Sequence, residues 1–398
     1  MVRLAKRMAR LGTENAFTVL AEVQRLVAEG RDVVNLGIGD PDFDTPAHIR
    51  EAATRALGEG RTHYSPSQGI VPLREAIAAE LTRTRGVPFS PDEIVVCPGA
   101  KPLLFYAMLA LVEAGDEVLY PNPGFPIYES CIEFAGGHAI PIPLLEARDF
   151  QLDIEALHRV VGPRTRLIVL NSPNNPTGGV LSREDLEAVA EVALRHDAWV
   201  LADEIYSRFL YDGRFESIAA IPGMKERTLV VDGFSKTFAM TGWRLGYGAM
   251  PAALAERITQ LIINSVSCTA TFVQDAGIAA LRGPQEAVER MIAEFRARRD
   301  LVVAGLNTIP GIRCRVPRGA FYAFPNVTEA CRRLGLRSAE EFQDTALHGH
   351  GVAVLARTHF GRRIDGEDQE YVRLSFAASR EQLSEGLRRL RAFVESKG

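Results

Sequence analysis

Short, almost continuously apolar segments alternate with amphipathic helical segments between about residues 90 and 250 of the chain. The predicted strands are residues 93–97, 117–120, 139–143, 166–170, 199–202 and 228–231. Apolar runs of this kind are typical of strands buried on both faces of a parallel sheet. Between two of them a helix is predicted over residues 182–196, where Ser182 and Asp185 form a capping pattern. The pattern predicts an α/β fold with a doubly wound, mostly parallel sheet.

The pattern changes after about residue 285, where a second unit is predicted. A charged helix over residues 285–308 is followed by strands and then by a final amphipathic helix over residues 380–395. Here a strand-rich stretch is predicted over residues 314–324, with further strands near 352–355 and 371–376. We interpret this part as a smaller α+β domain to which the N-terminal forty residues cross over. The predicted division is a large domain, 46–284, and a second unit formed by 1–45 and 285–398.

Composition and charge exclude several classes of protein. The 398 residues include 46 basic and 50 acidic side chains, a net charge of −4, which argues against a nucleic-acid-binding protein. The longest apolar run, residues 103–112, is too short to span a membrane. Five scattered cysteines without a CxxC pair indicate neither a disulfide framework nor a zinc site. We therefore expect a cytoplasmic protein without a metal, in which His348 and His350 belong to a solvated turn.

Polar groups follow the predicted strands at the edge where ligands bind in doubly wound sheets. Gly99 and Lys101 come before a long apolar helix, whose unpaired N–H groups can bind an anion. Other strands are followed by an amide-rich loop, a carboxylate and a lysine, which are residues 171–178, Asp203 and Lys236. A lysine can form a Schiff base, and a carboxylate facing a heteroaromatic nitrogen keeps that nitrogen protonated. Both are requirements of pyridoxal phosphate chemistry.

The same motifs resemble those of a known family. Residues 171–178 read NSPNNPTG and residues 235–244 read SKTFAMTGWR, and the similarity extends from NLGIGDPDF at 35–43 to YVRLSF at 371–376. The chain resembles the fold-type I pyridoxal-phosphate enzymes of the class I/II aminotransferases, close to the prokaryotic aspartate, aromatic and alanine aminotransferase branch. The resemblance implies an enzyme that moves an α-amino group between an amino acid and a 2-oxo acid by a ping-pong route.

The resemblance also implies which residues hold the cofactor ring. Lys236 would bind pyridoxal 5′-phosphate covalently and afterwards carry the substrate proton. Asp203 would pair with the ring N–H, while Tyr206 and Asn175 would hydrogen-bond the ring oxygen. Phe125 would stack on the face of the ring.

The phosphate group of the cofactor would be bound by a second set of residues. It would lie against the backbone of Ala100 and Lys101, and Ser235 and Arg244 would hold it. Tyr64 would reach it from the neighbouring subunit, which implies a homodimer with shared active sites.

Arg373 would clamp the α-carboxylate of the substrate, with Gly39 and Asn175 nearby. Two positions depart from the family pattern. Gly233 stands three residues before the lysine, where relatives often carry a hydroxyl group, so we expect one phosphate contact to be missing. Arg357 stands where many relatives have a glycine, and we favour a position in solvent over one in the substrate pocket.

Other functions remain as alternatives. A C–S β-lyase or related elimination enzyme shares the fold and cofactor, and the residues around Lys236 serve both reactions. A transcriptional regulator would need an N-terminal helix-turn-helix module, for which we expect no room, and a dehydrogenase would need a third glycine in its fingerprint. The donor is open, although Phe17, Ile38 and Leu109 predict a pocket that tolerates apolar side chains.

Overall fold

The computed structural model describes residues 4–12 and 16–396. The α-helices in these residues are α1 Ala16–Ala28, α2 Ala47–Gly58, α3 Val71–Arg85, α4 Lys101–Leu111, α5 Ile127–Ala135, α6 Ile154–Val160, α7 Arg183–Arg195, α8 Ala252–Ile263, α9 Thr271–Arg282, α10 Glu286–Leu306, α11 Thr328–Leu334, α12 Ala339–His350 and α13 Arg380–Glu395. The strands are β1 Val34–Asn35, β2 Ile94–Cys97, β3 Glu117–Asn122, β4 His138–Leu145, β5 Gln151–Leu152, β6 Thr165–Asn171, β7 Trp199–Asp203, β8 Thr228–Gly233, β9 Gly246–Ala249, β10 Tyr322–Ala323, β11 Val352–Ala353, β12 Leu355–Ala356 and β13 Val372–Ser375.

The central feature is an eight-stranded sheet in the order β2-β9-β8-β7-β6-β3-β4-β5. Five adjacent strands of this sheet form a parallel block: β8, β7, β6, β3 and β4. Strand β9 runs antiparallel to both of its neighbours, β2 and β8. The prediction of a mostly parallel α/β sheet is confirmed. All six predicted strands form, and their ends differ from the predicted ends by at most two residues.

The sheet is buried on both faces because its strands carry apolar side chains on both. Every residue of β2 and β8 is buried, and in β6 only Arg166 reaches solvent. One face packs against α4, α5 and α8, and the opposite face packs against α7. The predicted cap of α7 is confirmed, since Ser182 Oγ accepts from Asp185 N at 3.1 Å and Asp185 Oδ2 accepts from Ser182 N at 2.9 Å.

A second, smaller group of strands lies outside the central sheet. Strand β1 pairs parallel with β11, so the N-terminal segment joins the C-terminal part of the chain, and β10-β13-β12 form an antiparallel sheet. Helix α10 packs against α13, close to where both were predicted. The division into 46–284 and the remainder stays a prediction.

Two local predictions are wrong. Only Tyr322–Ala323 of the predicted strand-rich stretch 314–324 forms a ladder, because Pro317 and Gly319 interrupt the segment before it. His348 and His350 lie in the last turn of α12 rather than in a separate turn.

Among the described residues, no cluster of three or more His, Cys, Asp and Glu side chains is arranged to hold a metal ion. No helix within those same residues has both the length and the apolar character needed to cross a bilayer.

Candidate active site

A cavity of about 490 Å³ opens where β2, β3, β6, β7 and β8 reach their carboxyl ends. This is the edge at which ligands bind in sheets of this kind. The structure brings all but one of the predicted site residues to its wall. These are Gly39, Ala100, Lys101, Phe125, Asn175, Asp203, Tyr206, Ser235, Lys236, Arg244 and Arg373.

Asp203 is a buried carboxylate at the end of β7. The Tyr128 hydroxyl donates to its Oδ2 at 2.6 Å, and the Ile205 N–H donates to its Oδ1 at 3.3 Å. Burial raises the pKa of Asp203 to about 6, although both hydrogen bonds act in the opposite direction. Burial also raises the pKa of Tyr128 well above its ordinary value, so this phenol keeps its proton and donates.

Lys236 lies on the turn that follows β8, and its side chain is partly buried. Its Nζ donates to the Gly39 carbonyl oxygen at 2.6 Å and lies 5.8 Å from the centre of the Phe321 ring. The turn is closed by hydrogen bonds from Phe238 N to the Phe234 carbonyl and from Met240 N to Ser235 O. The side-chain nitrogen of Lys236 therefore lies between the turn after β8 and the N-terminal segment that carries Gly39.

The turn between β2 and α4 forms a cradle for an anion. Gly99 has a left-handed φ of +90°, and a Cβ placed on it would lie 2.1 Å from Arg244 Nη2. The guanidinium group of Arg244 thus lies directly against this glycine, and its Nη1 donates to the Thr241 carbonyl at 2.9 Å. Helix α4 begins at Lys101, so its N-terminal N–H groups and the guanidinium meet at one end of the cavity.

Arg373, on β13, is the second arginine of the wall. Its Nη1 donates to Asn175 Oδ1 at 2.8 Å, and its Nη2 donates to the Gly37 carbonyl oxygen. Its guanidinium lies 4.4 Å from the centre of the Tyr322 ring and 4.7 Å from that of Phe360. These contacts hold the planar group in one orientation, which suits bidentate binding of a carboxylate.

Aromatic side chains complete the wall. The Tyr206 and Tyr322 hydroxyl groups are 2.7 Å apart and hydrogen-bonded. Phe125 packs edge-on against Tyr128, with ring centres 5.8 Å apart. Lys101 Nζ lies 5.2 Å from the centre of the Phe125 ring.

The expectation that Arg357 lies in solvent is wrong. Arg357 is 1% exposed and lines a separate cavity of about 320 Å³. Its Nε donates to Glu367 Oε1 at 2.6 Å, its Nη2 to Asn122 Oδ1 at 2.6 Å, and its Nη1 to the Gly361 carbonyl at 2.9 Å. It fastens the 361–367 loop to the end of β3.

Two other positions behave differently from the rest of the predicted site. Tyr64 is 90% exposed and is absent from the cavity wall within this chain. Gly233 lies inside the β8–β9 ladder, where a Cβ would come within 3.0 Å of Gly246 Cα and 3.2 Å of the Leu245 carbonyl oxygen. Close packing of β9 therefore favours glycine at position 233.

The sequence reasoning missed several residues of the wall, and it misplaced one. Tyr128, Asn171 and Tyr322 line the cavity, and Leu104 does so in place of Leu109, which is exposed. Tyr128 lies in the first turn of α5, three residues after Phe125 of the predicted site, and this closeness in sequence would have indicated it. Nothing local to Tyr322 indicates its place.

Comparison with known proteins is consistent with this arrangement over nearly the whole chain. The family model for aminotransferase class I and II matches residues 31–390. The chain is 38% identical to an aspartate aminotransferase of Geobacillus stearothermophilus, covering 100% of both chains. It is 40% identical to aromatic-amino-acid aminotransferase 2 of Thermococcus litoralis, covering 95% of this chain and 96% of that one.

A solved structure agrees with the fold. The aspartate aminotransferase from Rhizobium meliloti superposes with a TM-score of 0.93 at 37% identity, covering 99% of each chain. Aminotransferases of this fold depend on pyridoxal phosphate and catalyse transamination. The chain therefore belongs to the class I and II aminotransferases and is a transaminase.

Proposed function

We propose that this enzyme moves an α-amino group between an amino acid and a 2-oxo acid with pyridoxal 5′-phosphate held at Lys236. The observation that supports this most is that Lys236, Asp203, Arg244 and Arg373 line one cavity. Each of these four side chains has a separate task in the proposed reaction.

The cavity wall fits the proposed cofactor at two points. At one end, Gly99 leaves room for the Arg244 guanidinium beside the N-terminus of α4, which suits a phosphate group. At the other, Asp203 is buried and makes no ion pair with any described residue, so a protonated ring nitrogen would be a matching partner. When bound, the cofactor supplies a conjugated ring that accepts the electron pair left at the substrate Cα.

Lys236 would hold the cofactor, and its amine, freed when the substrate amine takes its place, would act as the general base. Its Nζ is held beside the Gly39 carbonyl, on the side of the cavity where Arg373 lies. From there the amine takes the proton from the substrate Cα. Asp203 supports this step by holding a negative charge at the ring nitrogen, which keeps that nitrogen protonated.

Arg373 and Asn175 orient the substrate. Arg373 binds the α-carboxylate, and each charge-assisted hydrogen bond contributes about 1.5–3 kcal/mol. Tyr206 and Asn175 would bind the cofactor ring oxygen, and Phe125 would stack on the ring. Ser235 and the backbone at Ala100 complete the phosphate site.

The side chain of the substrate would meet a mixed surface. Phe17, Ile38 and Leu104 supply apolar contacts, and Lys101 adds a positive charge near Phe125. Aspartate and aromatic amino acids are therefore the first donors to test, which agrees with the names of the relatives.

Tyr64 is proposed to complete the phosphate site of a partner subunit in a homodimer. Its ring is almost fully exposed in the single chain and does not line that chain's own cavity. A large aromatic side chain in that position is typical of an interface.

The experiment that tests the function is an absorbance spectrum of the purified protein with pyridoxal phosphate and one amino acid at a time. A visible band that bleaches with one donor and returns with a 2-oxo acid is expected. A band that persists while ammonia and pyruvate accumulate would indicate an elimination enzyme instead.

Lys236→Ala provides the matched variant for that experiment. It should abolish turnover while cofactor still binds, because Asp203 and the phosphate cradle are unchanged. Normal turnover in this variant would remove Lys236 from the mechanism.

A further inference from the structure

A buried charged cluster lies beside the cavity, at the carboxyl ends of β7 and β8. Its centre is Arg85, the last residue of α3, which is almost fully buried. Arg85 Nε donates to Glu204 Oε2 at 2.8 Å, and its Nη2 donates to Asp232 Oδ2 at 2.6 Å. Glu204 directly follows Asp203 in the chain, and Asp232 precedes Lys236 by four residues.

The remaining oxygen atoms of both carboxylates are also hydrogen-bonded. Ser217 Oγ donates to Glu204 Oε1 at 2.5 Å, and Gly233 N donates to Asp232 Oδ1 at 2.7 Å. Ser207 Oγ lies 3.3 Å from Asp232 Oδ2. A cluster in which every member is paired has one preferred arrangement, and so it fixes the segments that carry it.

The position of the cluster matters because the β7–β8 ladder ends here. The last register pair is Asp203 with Val231; β7 ends there, whereas β8 continues through Gly233 in its ladder with β9. Beyond that pair, one backbone hydrogen bond joins the two segments, from Glu204 N to the Val231 carbonyl at 2.8 Å. Arg85 adds the side-chain connection between the segment after Asp203 and the segment before Lys236.

The cluster also sets the charge around Asp203. Tyr128 from α5, Tyr206, Glu204 and Asp232 face this carboxylate, and the last two are negative. Asp232 in turn faces Arg85 as well as Glu204, and Tyr247 of β9 faces the same group of charges. Glu80 of α3 contributes from further along that helix. Arg85 is the positively charged side chain among these groups, and it offsets the negative charges of Glu204 and Asp232.

We infer that Arg85 is a positioning residue of the transamination reaction: by binding Glu204 and Asp232 together, it holds Asp203 and Lys236 at their working separation and offsets the negative charge beside Asp203. The inference rests on the proposed function, since it assigns Arg85 a task only if Asp203 and Lys236 serve the cofactor. Arg85 itself does not line the cavity.

The test compares four variants that are first shown to fold by circular dichroism and thermal melting. Arg85→Met removes the cation, Arg85→Lys keeps the charge but not the fork of donors, and Arg85→Met with Asp232→Asn removes one charge of each sign. Arg83→Met is the matched control, because Arg83 lies on the same helix with its side chain in solvent. The readouts are the Kd for pyridoxal phosphate, the pH midpoint of the visible band of the loaded protein, and kcat and KM separately.

In Arg85→Met the Kd should rise about ten- to a hundredfold, the range that loss of a supporting group causes around bound metals. The pH midpoint should move upward by about 0.5–1 unit, because removing a positive charge strengthens proton binding by every group nearby. The double variant should return the midpoint to that of the unsubstituted protein while the Kd stays raised. Arg85→Lys should raise the Kd and leave the midpoint in place, and it carries the test if Arg85→Met does not fold.

The inference is overturned if folded Arg85 variants match the unsubstituted protein and Arg83→Met in both Kd and midpoint. A fall in melting temperature without change in either readout would also overturn it, by reducing Arg85 to a structural role. If the unsubstituted protein bound no pyridoxal phosphate, the proposed function itself would fail, and that outcome is distinct from equal behaviour of all variants.

Discussion

At the scale of single residues, the properties of the site follow from how far each charge is removed from water. Asp203 is buried with neutral donors around it, so its ionised form is costly until a cation joins it. Arg373 is buried too, but carbonyl and amide oxygens already accept its hydrogen bonds. The Asp203 carboxylate is therefore suited to pair with a cation. The Arg373 guanidinium is suited to bind an anion without moving.

Asp203→Asn should change how the stability of the cofactor-free protein depends on pH. Burial raises the pKa of Asp203 to about 6, above its value of about 3.9 in an unfolded chain. Between these values the folded state binds more protons, so the stability of the unsubstituted protein falls as pH rises through that window. The variant lacks this loss and should melt several degrees higher at pH 7, with little difference at pH 4.

The measurement is the melting temperature of both cofactor-free proteins from pH 4 to pH 7.5. Asp232, whose pKa burial also raises to about 6, faces position 203 and titrates in both proteins, so the prediction concerns the difference between the two curves. A difference between the two proteins that is constant with pH would contradict the prediction. Activity of the loaded variant should fall by several orders of magnitude, since the asparagine carries no charge.

Arg357→Met should lower stability without changing substrate preference. Removing one partner of a buried ion pair costs about 3–5 kcal/mol, because Glu367 is left with an uncompensated charge. Chemical denaturation measures this loss, and adding Glu367→Gln should restore part of it. A selective rise in KM for acidic substrates would show instead that Arg357 acts on the substrate.

How far the site could be predicted depends on where its residues lie in the chain. Lys236, Asp203 and Asn175 follow predicted strands, and the rule for ligand sites in parallel sheets is sufficient to bring them together. Tyr322 reaches the cavity only through the packing of β10 against β13, which no local pattern indicates. The burial of Arg357 was not predicted, because its partner Asn122 is distant in sequence from Arg357 and from Glu367.

At the scale of elements, the turn between β2 and α4 has a requirement of its own. Gly99 combines a left-handed backbone with contact to the Arg244 guanidinium. A side chain there must displace either the turn or the arginine, and the arginine is the more flexible of the two. The anion cradle is therefore sensitive to a single methyl group.

Gly99→Ala should weaken binding of the phosphate group more than it weakens the fold. Displacing Arg244 removes a charge-assisted hydrogen bond of about 1.5–3 kcal/mol, so the Kd for pyridoxal phosphate should rise at least about tenfold. Gly60→Ala is the matched control, because Gly60 also has a left-handed φ (+73°) but has no atom near the position of a Cβ. Fluorescence titration measures the Kd for pyridoxal phosphate in both variants. Equal Kd values for Gly99→Ala and Gly60→Ala would contradict the prediction.

The predictability of the strands follows their composition. The strands of the parallel block are rich in valine, leucine and isoleucine and were found within two residues. Strand β9 reads Gly-Tyr-Gly-Ala, which has no strand signal of its own. Its place between β2 and β8 is set by close backbone approach, since a Cβ on Gly246 would lie 2.3 Å from Ala100 N.

At the scale of the whole molecule, the proposed homodimer makes a prediction about mixed subunits. Lys236→Ala should remove the proposed base of a chain's own site, whereas Tyr64→Ala should remove a phosphate contact of its partner's site. In a mixed dimer, one site would lack both groups and the other would be intact.

Mixing the two inactive or weakened variants should therefore restore activity at low cofactor concentration. Random exchange of subunits gives about a quarter of the sites in intact form. The assay is transamination after unfolding and refolding the two variants together, with each variant refolded alone as the control. No gain on mixing would show that Tyr64 does not act across an interface.

The pairing of β1 with β11 has a consequence for how the enzyme is made. Asn35 and its partner Ala353 are separated by more than three hundred residues, and the Gly37–Arg373 contact depends on the same approach. At about 5–20 residues per second, a ribosome needs roughly 15 to 60 s to deliver the second half of this pair. Until then the wall proposed to receive the substrate carboxylate is missing, whatever the state of the central sheet. The nascent chain could fold around its sheet early, but it would acquire a complete catalytic pocket only near the end of translation.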